Sequence, residues 1–142
     1  MSANLKKNSL FCFGLGFAAQ ALVKRIRSNK WDISGTCRAK DRKNSLKELS
    51  VLSFDGIDAT REIRNVLNKA THLLISIPPQ PSGDVVLKNF SSQIAECKNL
   101  QWIGYISSTG VYGDTQGEWV DESSPLQPKT ELNVRRVEAE KS

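Results

Sequence analysis

The sequence predicts an α/β fold built on a parallel sheet, and three observations carry that expectation. Short apolar runs alternate with amphipathic stretches along most of the 142 residues. One of these runs, "THLLISI", is almost continuously apolar, as a strand covered on both faces should be. The first run ends in glycine and passes directly into a helical pattern.

Each element follows from its own residues. Leu10–Gly14 is the first strand, with large side chains suited to burial. Ala18, Ala19, Leu22, Val23 and Ile26 then recur at helical spacing, with Lys24, Arg25 and Arg27 on the other face. "WDISGTC", Trp31–Cys37, reads as a second strand and "DRKNSLKELS" as a short polar helix. "VLSFDGID" reads as a third strand, and "TREIRNVLNKA" as a helix with Ile63, Val66 and Leu67 on one side. "THLLISI" is the fourth strand, stopped by Pro78 and Pro79 because proline cannot donate to a ladder. Leu87, Phe90, Ile94 and Cys97 repeat at three and four, and "LQWIGYISS" is the fifth strand. Beyond Ser108 the pattern loosens into a loop with Gly113, Gly117, Pro125 and Pro128. A last helix starts near Thr130 and reaches Ser142 without a stop signal. The whole chain, 1–142, is expected to be one domain and the front portion of a longer protein.

The bulk composition, 39% hydrophobic and 25% charged, suits a globular domain large enough to bury a core. No apolar stretch reaches the roughly 18 residues that a membrane span needs. The net charge of +5 is uneven: residues 1–50 carry 11 Lys/Arg against 3 Asp/Glu, and residues 51–142 carry 9 against 12. An electropositive first half fits a phosphate-bearing partner, or simply a solvated basic face. Cys12, Cys37 and Cys97 are widely spaced, with no C-x-x-C pair, so reduced thiols and a cytoplasmic location are expected and no metal site is.

"NSLFCFGLGFAAQALVKRI", Asn8–Ile26, admits two interpretations. Preceded by Lys6 and Lys7, it begins as a secretory signal would, but a signal peptide would discard the strand on which the sheet depends. Gly14, Gly16 and Ala19 instead form G-x-G-x-x-A between strand and helix, the dinucleotide-binding pattern of a Rossmann-like doubly wound sheet. Gly14 permits the tight turn, Gly16 lets a pyrophosphate approach the backbone, and Ala19 lets the helix pack on the sheet. The helix start at Gly16 and Phe17 then offers free N–H groups and partial positive charge to the phosphates.

The end of the second strand bears on cofactor choice. NAD-binding chains carry an acid there for the ribose 2′-hydroxyl. Here Thr36 and Cys37 lead into Arg38, with Asp41 further on among Lys40, Arg42 and Lys43. Arg38 is suited to pair with a 2′-phosphate, so NADP is the expected cofactor, NAD the alternative, and Thr36 a second contact. Asp58, after the third strand, is a candidate helix cap. Pro78 lies where the cofactor would pass. His72, the single histidine, reads as a strand-boundary residue.

"ISSTGVYGD", Ile106–Asp114, together with G-x-G-x-x-A and "GEWVDESSPLQP", resembles the extended short-chain dehydrogenase/reductases, the NAD-dependent epimerase/dehydratase group, and within them an atypical bacterial subgroup. The likeness covers Ser9 to Glu140. It implies that Ser108 helps position the substrate oxygen while hydride moves to or from the nicotinamide, that Asp58 touches the adenine as the alternative to capping a helix, and that Tyr112 is structural. It also implies a substrate-binding part following this one, and a small hydroxyl- or carbonyl-bearing substrate, sugar-nucleotide-like. The family's Tyr-x-x-x-Lys pair falls on Leu132 and Arg136. Leucine transfers no proton, and arginine does not tune a neighbour as lysine does. Little turnover is therefore expected of this chain alone. A non-catalytic dinucleotide-binding or redox-sensing module is the competing interpretation. Nucleic acid is not an expected partner, because Phe11, Phe13 and Phe17 belong to the strand and turn rather than to a stacking surface.

Overall fold

The computed structural model describes residues 7–26, 30–38 and 49–142. The elements run β1 (Asn8–Phe13), α1 (Phe17–Ile26), β2 (Trp31–Cys37), β3 (Ser50–Ser53), α2 (Arg61–Lys69), β4 (His72–Ile75), α3 (Val85–Glu96), β5 (Trp102–Tyr105) and α4 (Glu131–Glu140). The polar helix expected over "DRKNSLKELS" lies largely outside the described residues. The strands form one sheet in the order β3-β2-β1-β4-β5, and every pairing is parallel. The strand order reverses between β1 and β4, so the carboxyl ends of those two strands flank the crevice where open sheets of this kind bind ligands.

Alternation along β1 builds two separate cores. Phe11 and Phe13 face α2 and α3, where they pack with Leu73, Ile75, Ile63, Leu67 and Phe90. Leu10 and Cys12 face α1 and pack with Ala19, Val23, Ile33 and Leu74. A strand buried on both faces has no polar side to spare, which is why "LFCF" carries no alternation of polarity. Phe13 centres the larger core: its ring lies 4.9 Å from Phe11, 4.8 Å from Phe90 and 5.8 Å from Phe54, in edge-on or tilted arrangements. Burial pushes the Cys12 thiol up to about 12, so it stays protonated and inert at neutral pH.

Three helices begin on side-chain caps. Thr60 accepts from the Ile63 amide at α2, Asp84 from Val86 and Leu87 at α3, and Thr130 from Asn133 at α4. Strands β3, β4 and β5 are shorter than their apolar runs. After Ser53 the backbone leaves the sheet through a turn in which the Asp55 carboxylate accepts from the Ile57 and Asp58 amides. Those two bonds hold the Asp55 carboxyl below its usual range. The loop expected after Ser108 opens with a 3-10 turn at Thr109–Tyr112, capped by the Ser108 hydroxyl, which accepts from the Gly110 amide. His72 is the first residue of β4, its ring 4.8 Å from Trp31 and 6.2 Å from Trp102.

Phe13→Ala should lower unfolding free energy by about 3–5 kcal/mol in urea denaturation, because three neighbouring rings cannot close the cavity it leaves.

Candidate dinucleotide cleft

At the carboxyl ends of β1, β2 and β4 the chain surrounds a cleft of about 370 Å³. Gly14, Leu15 and Gly16 form its floor, Thr36 to Arg38 and Phe54 one wall, and Ser76 to Pro78 the other.

Gly14 makes the turn at φ +89°, a conformation open to glycine; a Cβ there would lie 2.9 Å from Ile77 Cγ1 and 3.0 Å from Ser76 Oγ. Its two flanking peptides are held from the neighbouring strands. The Gly14 N–H donates to the Thr36 hydroxyl at 3.0 Å, and the Ser76 hydroxyl donates to the Gly14 carbonyl at 2.5 Å. The Leu15 amide donates to the Thr36 carbonyl at 2.8 Å. Gly16 differs in kind: a Cβ on it would meet nothing within 4 Å. No protein atom therefore requires glycine at this position, and the space beside it opens toward the cleft.

Helix α1 has no acid in its first turn and starts without a side-chain cap, whereas α2, α3 and α4 each have one. Its first intrahelical bond runs from the Gln20 amide to the Gly16 carbonyl. The amides of Gly16, Phe17 and Ala18 have no hydrogen-bond partner among the described residues. With the helix dipole they leave a partial positive charge at the start of α1.

The sequence-predicted residues divide between places. Gly14, Gly16, Thr36, Arg38 and Pro78 line the cleft. Phe17 stands 94% exposed on the first residue of α1, while Ala19 is fully buried beneath it and lets the helix pack close. Thr36 is also fully buried, its hydroxyl occupied with Gly14, so its role differs from the direct cofactor contact expected of it. Asp58 is not in the lining: it is exposed beyond the Asp55 turn, and the cap of α2 is Thr60. Arg38 is the first residue after β2 and is exposed at the rim. Sequence reasoning passed over Ser76. Its signal is a small hydroxyl residue between the apolar run of β4 and Pro78.

Ser108 lies in a second recess, lined also by Tyr105, Ser107, Tyr112 and Glu140, at the carboxyl end of β5. There the Ser107 hydroxyl donates to the Glu140 carboxylate, and the Tyr105 hydroxyl donates to Asp84 Oδ2 at 3.1 Å. Leu132 is half-exposed on α4, and Arg136 donates through Nη1 to the Ile106 carbonyl at 3.1 Å, tying α4 to the end of β5. Neither supplies a proton donor. Burial, reinforced by the Asp84 charge and hydrogen bond, holds the Tyr105 phenol well above its usual range, so it is no neutral-pH acid either.

No protein-family model matches the sequence, and no curated protein matches it. Solved structures do. A conserved protein of unknown function from Silicibacter pomeroyi is 36% identical over 95% of this chain, with a TM-score of 0.82. The UDP-N-acetylglucosamine 4-epimerase of Methanobrevibacter ruminantium, solved with UDP-N-acetylmuramic acid, matches 94% of this chain at 18% identity and a TM-score of 0.71. The dTDP-glucose 4,6-dehydratase of Bacillus anthracis, solved with NAD, matches 95% at 11% identity and a TM-score of 0.71. The fold is Rossmann-like. Two of these neighbours are an epimerase and a dehydratase, and the chain spans about half the length of each of the three, 47% or 48%. Among the described residues of this Rossmann-like unit, no helix is long and apolar enough to cross a membrane.

Tyr105 keeps its proton more tightly folded than unfolded. The stability it lends is fully present below the ordinary tyrosine value of 10 and drains away as pH rises beyond that. Tyr105→Phe should therefore flatten the alkaline decline in stability, read by urea denaturation from neutrality to above pH 10.

Proposed function

We propose that this chain is the dinucleotide-binding portion of an oxidoreductase or epimerase of the extended short-chain dehydrogenase/reductase type, with NADP preferred. The observation that carries the proposal is Gly16. Glycine stands where a side chain would meet no protein atom, beside amides with no partner among the described residues. That vacancy suits a pyrophosphate, whose oxygens would accept from the Gly16, Phe17 and Ala18 N–H groups.

The rest of the cleft supports the same reading. Arg38 at the rim of β2 offers a planar guanidinium to a 2′-phosphate, and no acid from β2 stands beside it to hold a 2′-hydroxyl instead. When bound, the cofactor would supply hydride transfer at its nicotinamide. Ser108 would orient the substrate oxygen from the second recess, a role that requires its hydroxyl to donate outward while it accepts from Gly110. The substrate class is a small hydroxyl- or carbonyl-bearing compound, sugar-nucleotide-like. The Methanobrevibacter and Bacillus enzymes, named for UDP-N-acetylglucosamine and dTDP-glucose, are the reason for that choice.

A second interpretation has its own observation. Leu132 faces solvent where the family's proton donor would stand, and Arg136 is committed to the β5 backbone. A dinucleotide-binding or sensing module without turnover fits these two residues. Cofactor binding with no conversion of any sugar nucleotide by the full-length protein would favour it.

Titration with NADPH and NADH, followed by nicotinamide fluorescence, tests the cofactor assignment. Wild type should bind NADPH more tightly by about tenfold or more, the scale of one charge-assisted contact, and Arg38→Ala should erase most of that preference. Equal affinities in wild type would remove the specificity claim. Gly16→Ala should leave the melting temperature within about 2 °C of wild type, since the added methyl meets only open space. The same variant should weaken NADPH binding by at least about tenfold.

A further inference from the structure

We infer that Thr36 and Ser76 are a pair of positioning residues that aim the amides of the glycine turn at the pyrophosphate, an inference that rests on the dinucleotide reading above. A glycine turn is the softest stretch a backbone offers, because both signs of φ are open to it. Left alone, the segment from Gly14 to Gly16 would present its N–H groups over a range of directions, and a ligand would have to order them on binding. The two hydroxyls remove that freedom. Thr36 on β2 accepts from the Gly14 N–H, and Ser76 just past β4 donates to the Gly14 carbonyl, so the two peptides that flank the Gly14 Cα are pinned from the strands on either side of β1.

Each contact is supported independently. Thr36 is fully buried, so water cannot replace its hydroxyl, and its own carbonyl takes the Leu15 amide. Ser76 is fixed by its backbone, whose amide donates to the Phe13 carbonyl at 2.9 Å, and its hydroxyl also reaches that carbonyl at 3.3 Å. The first free amide, Gly16, follows two residues after Gly14. With Gly14 and Leu15 both engaged, the Gly16, Phe17 and Ala18 amides are the ones left for the cleft. Neither hydroxyl need touch the ligand. Both act through the main chain, and so their effect should follow the pyrophosphate and not the 2′-phosphate at Arg38.

The test uses two probes and the intact chain. ADP carries the pyrophosphate; adenosine 2′-monophosphate carries only the phosphate expected at Arg38. Thr36→Val keeps shape and burial but removes the acceptor, and it should weaken ADP binding by about tenfold while leaving adenosine 2′-monophosphate binding within about twofold. Thr36→Ser, which restores the hydroxyl, should recover ADP affinity. In a double-mutant cycle Thr36→Val and Ser76→Ala should couple, because both fix the backbone torsions of the one residue Gly14. Unchanged ADP affinity in Thr36→Val would overturn the inference, and so would equal losses for both probes, which would indicate a general loosening. If Thr36→Val fails to fold, Ser76→Ala in the same two titrations decides by the same criteria. Failure of wild type to bind NADPH, ADP and adenosine 2′-monophosphate alike would defeat the dinucleotide reading itself, and this inference with it.

Discussion

Gly14, held through both of its flanking peptides, is the constraint on which the cleft depends. Its positive φ turns the chain off β1 in one residue, its Cα lies too close to Ser76 and Ile77 to carry a side chain, and hydroxyls from both flanking strands hold it. Everything downstream inherits that direction. α1 starts where it does because Leu15 is tied back to β2, and the helix points its amino end into the crevice between β1 and β4. The contrast with the other helices follows from use. α2, α3 and α4 satisfy their first amides with Thr60, Asp84 and Thr130, whereas α1 leaves its own available.

A turn of this kind needs a rigid frame, and the two-sided burial of β1 provides one. Phe11 and Phe13 are locked into an aromatic cluster on one face while Leu10 and Cys12 fill the other. The strand between these cores has no room to slide, since a one-residue shift would exchange every side chain between faces. The position of the glycine turn is thus set by packing more than ten ångströms of strand behind it, on the scale of six residues at about 3.3 Å each.

The carboxyl end of β5 tells a different story. Tyr105, Ser107, Ser108 and Glu140 assemble a polar recess, but their hydrogen bonds are mutual or directed to the protein's own caps and carbonyls. Tyr105 serves Asp84, itself the cap of α3, and Arg136 fastens α4 to Ile106. Two of the groups that resemblance places at a reactive centre, Leu132 and Arg136, are here a half-exposed apolar residue and a structural strut. The backbone amides without a partner among the described residues lie instead beside the glycine turn.

Among the described residues, the order of strands and helices, the parallel character of the sheet and the glycine motif were legible in the sequence, because each rests on local periodicity or on a residue type with one conformational advantage. Trp31–Cys37 matches β2 end to end, and the start of the last helix matches its cap at Thr130. Strand ends at Ser53, Ile75 and Tyr105 were not legible, since pairing stops where the neighbouring strand stops and not where the apolar run does. The same holds for Thr36, Ser76 and Asp58. Their roles depend on which atoms from distant segments come within hydrogen-bond reach, and separations of 22 and 62 residues leave no trace in spacing. By itself the sequence determined that a glycine-lined opening would follow the first strand. Only the tertiary structure decided which hydroxyls hold that opening in place, because hydrogen bonds between strands exist only after the sheet has brought them together.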